Sequence, residues 1–208
     1  MTGSPGVSQD RPEGLRERKK ARTRAAIREH ALRLFRENGY QRTTVEKIAE
    51  AAEVSPSTFF RYFPTKEDII LQDDMDTRMV EALERQPAEL TPLAAVRAAT
   101  RELFASYTEA DLDVLQETTA LTVTVPEVRA RAMDEFARTI SVVSEALAKR
   151  ANRPADDLAV RATAGAIIGV IMSITMPWES WSSDRRTIED TFEHIDQALA
   201  LLEAGLPM

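Results

Sequence analysis

Apolar residues recur at helical spacing along nearly the whole chain, and no stretch keeps the strict alternation of a β-strand. The first apolar stripe falls at i, i+4, i+7 and i+8 and comprises Ile27, Ala31, Leu34 and Phe35. Asn38-Gly39 then supplies a helix C-cap. Prolines separate later helical stretches, predicted at about 92–108, 111–122, 127–151, 156–177 and 185–204. The sequence therefore predicts an all-α fold.

Charge divides the chain into a basic first third and an acidic remainder. Residues 1–66 hold 14 Lys and Arg against 8 Asp and Glu, a balance of +6. Residues 67–208 hold 13 against 26, a balance of −13, which gives the whole chain its net charge of −7. The basic part favours binding to a polyanion such as DNA, and the acidic part does not. The alternative is that the basic residues form only a solvated face.

Two short helices joined by a tight turn are predicted before the acidic part. Thr43 or Thr44 can cap the first of them in a capping box. Ser55 can cap the second, with Pro56 at its first position, and Pro64 prevents the helix from continuing. This order is that of a helix-turn-helix, whose second helix enters the DNA major groove.

The second short helix has two different faces. On a helical wheel Phe59 and Phe63 share one side, which predicts that both pack in the core. The opposite side comprises Ser57, Thr58 and Arg61. Its small residues let the helix descend into a groove, where an arginine can donate two hydrogen bonds to a guanine edge. Phe60 and Tyr62 lie on the flanks, facing the groove walls. The alternative is an aromatic-rich helix inside a generic bundle.

The segments AIREHALRLFRENGY and TTVEKIAEAAEVSPSTFFRYFPTKEDII together resemble the TetR family of bacterial transcriptional regulators. The resemblance covers residues 20–70. It implies that Thr43 and Thr44 contact phosphates and that Tyr62 and Lys66 clamp the DNA backbone. The groove-facing residues that it implies are Ser55, Pro56, Ser57 and Arg61. Phe60 stands where the family usually has a phosphate-binding tyrosine, so only apolar contact is expected there.

Three segments are therefore expected along the chain. Residues 1–14 have no apolar signal-peptide core and are predicted to be a disordered leader. Residues 15–66 form the predicted three-helix DNA-binding domain, and residues 67–208 a larger helical domain for ligand binding and dimerisation. The longest apolar run, 162–176, is shorter than the roughly 20 residues of a membrane span. We expect it to be a buried helix of a cytoplasmic protein.

Two seams with heptad spacing in the acidic part predict close helix packing. They comprise Val160, Ala164, Ile167, Ile171 and Ile174 on one helix and Ile188, Phe192, Ile195, Leu199 and Leu202 on the next. The resemblance implies a homodimer formed by the last two long helices, and we assign both seams to that interface. Packing within one chain is the alternative. A two-fold dimer would read a palindromic DNA operator. Gly165-x-x-x-Gly169 is a second face that another helix can approach.

The resemblance also implies a small-molecule site in the second domain. The large, adaptable side chains that could line it are Met79, Phe104, Tyr107, Met133, Phe136, Met172, Trp178 and Trp181. Ordinary core packing is the alternative for each of them. Because few charges interrupt the helices around these residues, a largely apolar effector is expected.

An enzyme is not predicted. The chain has no cysteine and two histidines far apart in sequence, so it has no recognisable metal set or nucleophile–base pair. Neither a metal nor a cofactor is expected. The predicted function is that of a repressor released from its operator by a small ligand. The alternative is a helical ligand carrier or scaffold without sequence-specific DNA binding.

Overall fold

The structure is a computed structural model and describes residues 12–71, 75–176 and 187–207. Every regular element within these ranges is an α-helix, which confirms the all-α prediction. The helices are α1 Pro12–Asn38, α2 Val45–Ala51, α3 Pro56–Tyr62, α4 Asp68–Leu71, α5 Met75–Arg85, α6 Pro92–Ala105, α7 Glu109–Thr124, α8 Pro126–Ala151, α9 Leu158–Thr175 and α10 Ile188–Glu203.

The chain divides into two compact units, Met1–Ile69 and Ile70–Met208. The first, called unit 1, contains α1 to α3 and the start of α4. Within it α1 packs on α2 and α2 on α3. The second, called unit 2, contains the rest of α4 and the helices that follow. There α8 packs on α5, α7 and α9, while α10 packs on α6 and α9.

Local caps set the helix ends in unit 1. After α1 ends at Asn38, Gly39 has a φ of 81°, a left-handed conformation that favours glycine. Thr44 caps α2, because its hydroxyl accepts a hydrogen bond from the backbone amide three residues on, at 3.4 Å. Ser55 caps α3 in the same way at 3.1 Å, and Pro56 takes the first helical position. The predicted starts of both short helices are confirmed, but α2 has no capping box, because Lys47 stands at its third position.

Large apolar side chains from three helices form the core of unit 1. Ile27 of α1, Ile48 of α2 and Phe59 of α3 are all 0% exposed, as is Phe63 at the end of α3. Fully burying one such side chain contributes about 1.5–3 kcal/mol to folding. The prediction that both phenylalanines belong to the core is confirmed, and together they fix α3 by one face.

The core of unit 2 combines five helices. Its buried side chains include Leu83 of α5, Val96 of α6, Leu147 of α8, Ile167 of α9 and Leu199 of α10. Ion pairs reinforce the contact between α6 and α10. Arg97 pairs with Asp196 at 3.3 Å and with Glu203 at 2.9 Å, and its own side chain is 21% exposed. These charges are shielded from bulk water more than an ordinary surface pair is.

α9 differs from the buried helix that its apolar sequence predicts. By length and composition it could cross a membrane, and only 22% of its residues are buried inside the chain. One face packs in the core of unit 2, through Val160, Ala164 and Ile167. The opposite face is open, and Leu158 at its start is 83% exposed. Within Leu158–Thr175 six of 18 residues are exposed, four are buried and the others are half-buried, so the expectation of a buried helix holds for one face only.

Candidate nucleic-acid interface

α3 presents its polar face to solvent. Ser55, Pro56, Ser57 and Arg61 are exposed, whereas Thr58 and Tyr62 are half-buried. Because Phe59 and Phe63 hold the other face, the exposed side chains stand on a helix whose orientation within unit 1 is fixed. Such fixed presentation lets a short helix offer several groups to a ligand at once.

Three hydroxyls form a cluster at the start of α3. The Ser55 Oγ lies 2.9 Å from the Ser57 Oγ and donates to the Thr58 Oγ1 at 3.0 Å. The same Ser55 oxygen accepts from the Thr58 amide and so caps the helix. Each hydroxyl has more than one hydrogen-bonding site, so the cluster can still donate to an anion. Hydroxyls and helix N-termini are common phosphate contacts in protein–DNA complexes.

Arg61 and Phe60 form the outermost part of α3. The Arg61 guanidinium lies over the Tyr62 ring, 5.3 Å from its centroid. Within the described residues no carboxylate pairs with Arg61, so its donors face solvent. Phe60 is 51% exposed, and its ring meets Phe59 edge-on at 5.4 Å. A cation and an apolar ring are thus presented side by side.

Thr43 and Thr44 have different environments, although both were predicted to contact phosphate. Thr44 is exposed at the start of α2. Thr43 is 1% exposed, and its hydroxyl donates to the backbone oxygens of Leu34 at 3.1 Å and Gly39 at 3.0 Å. The prediction for Thr43 is therefore wrong, because its hydroxyl is buried and bonded to the end of α1.

Lys66 faces inward instead of toward the exposed face of α3. Its Nζ donates to the backbone oxygens of Tyr40 at 3.0 Å and Thr43 at 3.1 Å. The same ammonium lies 3.9 Å from the centroid of the Tyr40 ring. These contacts use two of the three Nζ donors, so the backbone clamp expected at Lys66 stays a prediction. Sequence reasoning also missed Tyr40 and Glu67. The Tyr40 hydroxyl donates to the Glu67 carboxylate at 2.5 Å, and the sequence does not indicate this contact because the two residues are 27 positions apart.

α1 carries a row of exposed cations before the core begins. They are Arg16, Arg18, Lys19, Lys20 and Arg22. Arg24 differs from them because it is half-buried, with its guanidinium 5.0 Å from the centroid of the Phe63 ring. The exposed cations give unit 1 a positive surface on a helix other than α3, which suits contact with a polyanion.

The predicted ligand residues that the structure describes lie in different surroundings within unit 2. Met79 and Phe136 are half-buried against the core of unit 2, Met133 is 46% exposed, and Met172 is half-buried on α9. Phe104 and Tyr107 instead meet Phe192 of α10, at ring distances of 4.3 and 6.4 Å. Trp178 and Trp181 lie outside the described residues.

The aromatic group of α6 and α10 borders a surface groove of about 380 Å³. Its lining comprises Thr100, Arg101, Phe104, Glu189, Phe192, Glu193 and Asp196. Arg101 pairs with Asp196 at 2.7 Å. The groove therefore has an aromatic wall and a mainly acidic rim. Among the described residues no group of three or more His, Asp or Glu side chains is arranged to hold a metal ion.

The predicted dimer seams pack mainly within their own chain. Val160, Ala164, Ile167, Ile195 and Leu199 belong to the core of unit 2, with Ile171 and Ile174 packed against it. Ile188 is 6% exposed, Phe192 stacks on Phe104, and Leu202 is half-buried. Their assignment to a subunit interface is therefore wrong for the buried positions, because α9 and α10 use these seams to join the bundle.

The open face of α9 lies on the other side of the helix. Leu158, Ala162, Gly165 and Gly169 follow one another at spacings of four, three and four residues. We call these four residues the small-residue face. A Cβ added at either glycine would meet nothing within 4 Å, so no part of the described chain covers this surface. Sequence spacing identifies both faces of α9, but it does not show which one the chain itself covers.

The chain is similar in sequence to bacterial transcriptional regulators. The chain is 44% identical to the HTH-type transcriptional regulator TcmR of Streptomyces glaucescens over 102 residues, 48% of this chain and 45% of TcmR. It thus spans about half the length of that relative. It is 25% identical over 192 residues to MftR of Mycobacterium tuberculosis, whose name refers to the regulation of mycofactocin biosynthesis; that match covers 91% of this chain and 93% of MftR.

Solved structures of TetR regulators share the fold. Thermus thermophilus FadR, a TetR-family transcriptional repressor solved with lauroyl-CoA, aligns with a TM-score of 0.55 and 27% identity over 89% of this chain and 95% of FadR. Residues 27–72 match the family described as bacterial regulatory proteins, tetR family, and residues 90–207, more than half of the chain, match the MftR C-terminal domain. The chain belongs to the TetR family of bacterial transcriptional regulators.

Proposed function

We propose that the chain is a cytoplasmic repressor that binds a palindromic operator as a dimer and is released by a small, largely apolar ligand. The two-faced packing of α3 carries the DNA-binding part of this proposal. Phe59 and Phe63, both 0% exposed, hold the helix, while Ser55, Ser57 and Arg61 are exposed to solvent. A helix held in this way can enter a major groove about 12 Å wide without disturbing its own core.

The proposed DNA contacts divide into base reading and backbone contact. Arg61 is the proposed base reader, because a guanidinium can donate two hydrogen bonds to a guanine edge. Phe60 offers its exposed ring to a thymine methyl group or a sugar. The proposed backbone contacts are Thr44 and Tyr62. The proposed groove-facing residues beside Arg61 are Ser55, Pro56, Ser57 and Thr58.

Dimerisation is proposed through the small-residue face of α9. Leu158 is 83% exposed, and the glycines leave room for a second helix to approach closely. A second copy of the same face is the expected partner, since cyclic dimers use one self-complementary patch twice. The exposed Leu201 of α10, at 51%, adds apolar surface on the adjoining helix. Two recognition helices on a two-fold axis would match a palindrome with half-sites about one helical turn apart.

A ligand site in unit 2 is proposed by analogy with FadR, which was solved with lauroyl-CoA. An acyl chain would need apolar lining, and the half-buried Met79, Phe136 and Ile140 against the core are candidates for that lining. The groove beside Phe104 is less suitable for an acyl chain, because Glu189, Glu193 and Asp196 surround its aromatic wall. We therefore favour an apolar ligand that enters near the core.

A salt titration tests the proposed function. Binding of the purified protein would be measured on the DNA upstream of its own gene and on random DNA of equal length, from about 50 to 200 mM salt. A sequence-specific repressor should bind its operator about 10³-fold or more tightly than random DNA at physiological salt. Equal affinities for both DNAs would instead favour a carrier or scaffold whose basic unit binds polyanions without selectivity.

A further inference from the structure

The residues that follow α3 hold the turn between α1 and α2. Lys66 donates to the backbone oxygens of Tyr40 and Thr43, and the Tyr40 hydroxyl donates to the Glu67 Oε1 at 2.5 Å. We call these four residues, Tyr40, Thr43, Lys66 and Glu67, the Tyr40 clasp. Its contacts join residues 23 to 27 positions apart. The clasp therefore ties the segment after α3 to the segment before α2.

Both ends of the clasp are themselves anchored. The Tyr40 ring is 6% exposed and packs on Phe35, with ring centroids 5.1 Å apart. On the other side Asp68 is 0% exposed, and its Oδ2 accepts from the Thr65 amide at 3.0 Å. The Thr65 hydroxyl accepts from the Asp68 amide in return, at 3.3 Å. Because neither end can swing freely, the clasp fixes the distance between the two segments.

The clasp leaves the Tyr40–Thr43 turn little freedom. Lys66 engages two of its backbone oxygens, and the Thr43 hydroxyl bonds back to Leu34 and Gly39. Thr44, the next residue, caps α2. A fixed turn therefore sets the direction in which the first turn of α2 points its backbone N–H groups.

We propose that Lys66 is a positioning residue that presents the start of α2 to DNA, and that it does not contact phosphate itself. The inference rests on the proposed DNA-binding function, because the start of α2 is one of the proposed backbone contacts. An ammonium has three N–H donors, and two of them point at carbonyl oxygens, with the Tyr40 ring also in contact. Turning Lys66 toward a phosphate would leave half-buried carbonyls unsatisfied, which is costly.

The salt dependence of DNA binding separates positioning from phosphate contact. In Lys66→Met the stem remains to pack on Tyr40, but both hydrogen bonds are lost. We expect operator affinity to fall about tenfold, which corresponds to about 1.4 kcal/mol, with the slope of log K against log salt unchanged. A lysine that neutralises a phosphate would instead lower that slope by about 0.9. A smaller slope of log K against log salt in Lys66→Met than in the wild type, or an unchanged operator affinity, would overturn the proposal.

Two further variants control for charge and for donor geometry. Lys20→Met removes the same charge from an exposed lysine of α1, outside the turn that the clasp holds. A purely electrostatic effect would appear equally in both methionine variants, whereas positioning should weaken binding more in Lys66→Met. Lys66→Arg keeps the charge and the donors, so we expect it to recover part of the lost affinity. Equal losses in all three variants would contradict the proposal.

Hydrogen exchange in the free protein tests the clasp without DNA. We expect Lys66→Met to speed amide exchange at residues 44–48 severalfold, because the turn that fixes the start of α2 is released. Exchange in the middle of α8, in the other unit, should stay unchanged and serves as the internal reference. Unchanged exchange at 44–48 would overturn the positioning role. Should the wild-type protein prove unselective for DNA, the proposed function would fail, and this experiment would still decide whether Lys66 fixes the turn.

Discussion

Phe60 is exposed on α3 at the position where related regulators usually have a tyrosine. Its ring is 51% exposed and has no polar atom to offer a phosphate. We predict that Phe60→Tyr strengthens DNA binding about tenfold or more, because a hydrogen bond to a charged acceptor such as a phosphate contributes about 1.5–3 kcal/mol. The gain should be equal on operator and random DNA, since phosphates carry no sequence information. Fluorescence anisotropy titrations on both DNAs measure it, and a gain confined to the operator would contradict the backbone role.

Glu67 links the stability of unit 1 to pH. Burial opposes its ionisation, but hydrogen bonds from Tyr40, from its own amide and from Thr65, with the charge of Lys66, outweigh burial and lower its pKa. Because the folded pKa lies below the unfolded one, the ionised carboxylate stabilises the fold fully at neutral pH. That contribution is lost as the pH falls from about 4.3 through the folded pKa.

Tyr40→Phe should weaken this acid dependence. The variant removes the hydroxyl that donates to Glu67 and leaves the ring that contacts Lys66. We expect the free energy of unfolding to fall at neutral pH and to decline less steeply than in the wild type below about pH 4.3. Urea unfolding across a pH series measures both. Parallel curves for the two proteins would show that the Tyr40 hydroxyl does not set the pKa of Glu67.

Residue-level roles were only partly predictable from the sequence. The two buried phenylalanines of α3 follow from the helical wheel, because burial depends on which side of a short helix faces its neighbours. Thr43 and Lys66 did not follow, since each has partners that lie elsewhere along the chain, at Leu34 and Tyr40. The type of a polar residue does not show whether its side chain faces DNA or the protein interior.

Helix boundaries were easier to predict, because capping is local. Gly39 ends α1 with a φ of 81°, and a Cβ there would meet nothing within 4 Å. Gly39→Ala should therefore destabilise the fold by about 1 kcal/mol through the backbone alone, without a steric clash. Gly14→Ala is the matched control, since Gly14 lies within α1, also in open space and with no positive φ. Alanine favours a helix there, by up to about 1 kcal/mol.

Urea unfolding of these two alanine variants gives the comparison directly. The midpoint should move down for Gly39→Ala and should stay or move up for Gly14→Ala. A fall of equal size in both would mean that the left-handed conformation of Gly39 is not what the alanine disturbs.

Packing partners between elements were harder to predict than the elements. Heptad spacing on α9 and α10 correctly indicated helix-on-helix contact, but the sequence does not encode whether the contacting helix belongs to the same chain. The core of unit 2 takes up Val160, Ala164 and Ile167, which leaves the small-residue face available. An apolar stripe has the same spacing whether it packs within one chain or between two chains. Only the structure shows which stripe the chain itself buries.

The dimer is a property of the whole molecule, and its proposed interface can be tested at Gly169. Gly169→Leu fills space that the chain itself leaves open, so the fold of one subunit should be kept while a close helix–helix contact is blocked. We predict that the dissociation constant of the dimer rises at least about tenfold, because the contact loses about 1.4 kcal/mol or more. Sedimentation equilibrium over a concentration series measures this change.

Ser141→Leu provides the control for the dimer experiment. Ser141 is exposed and lies on α8, a different helix from the one that carries the small-residue face, so the added leucine should leave the dissociation constant unchanged. If Gly169→Leu behaves like this control, the subunits do not meet through the small-residue face, and another surface must supply the contact.

The central claim is that the exposed face of α3 reads base sequence, and Arg61 tests it most directly. The decisive measurement is the ratio of operator affinity to random-DNA affinity, for the wild type and for Arg61→Ala, at one fixed salt concentration. Because Arg61 is exposed, the fold should tolerate alanine. We predict that this ratio falls roughly 5- to 150-fold, which corresponds to about 1–3 kcal/mol of lost discrimination, while the affinity for random DNA changes little. An unchanged ratio, with both affinities reduced alike, would contradict the account.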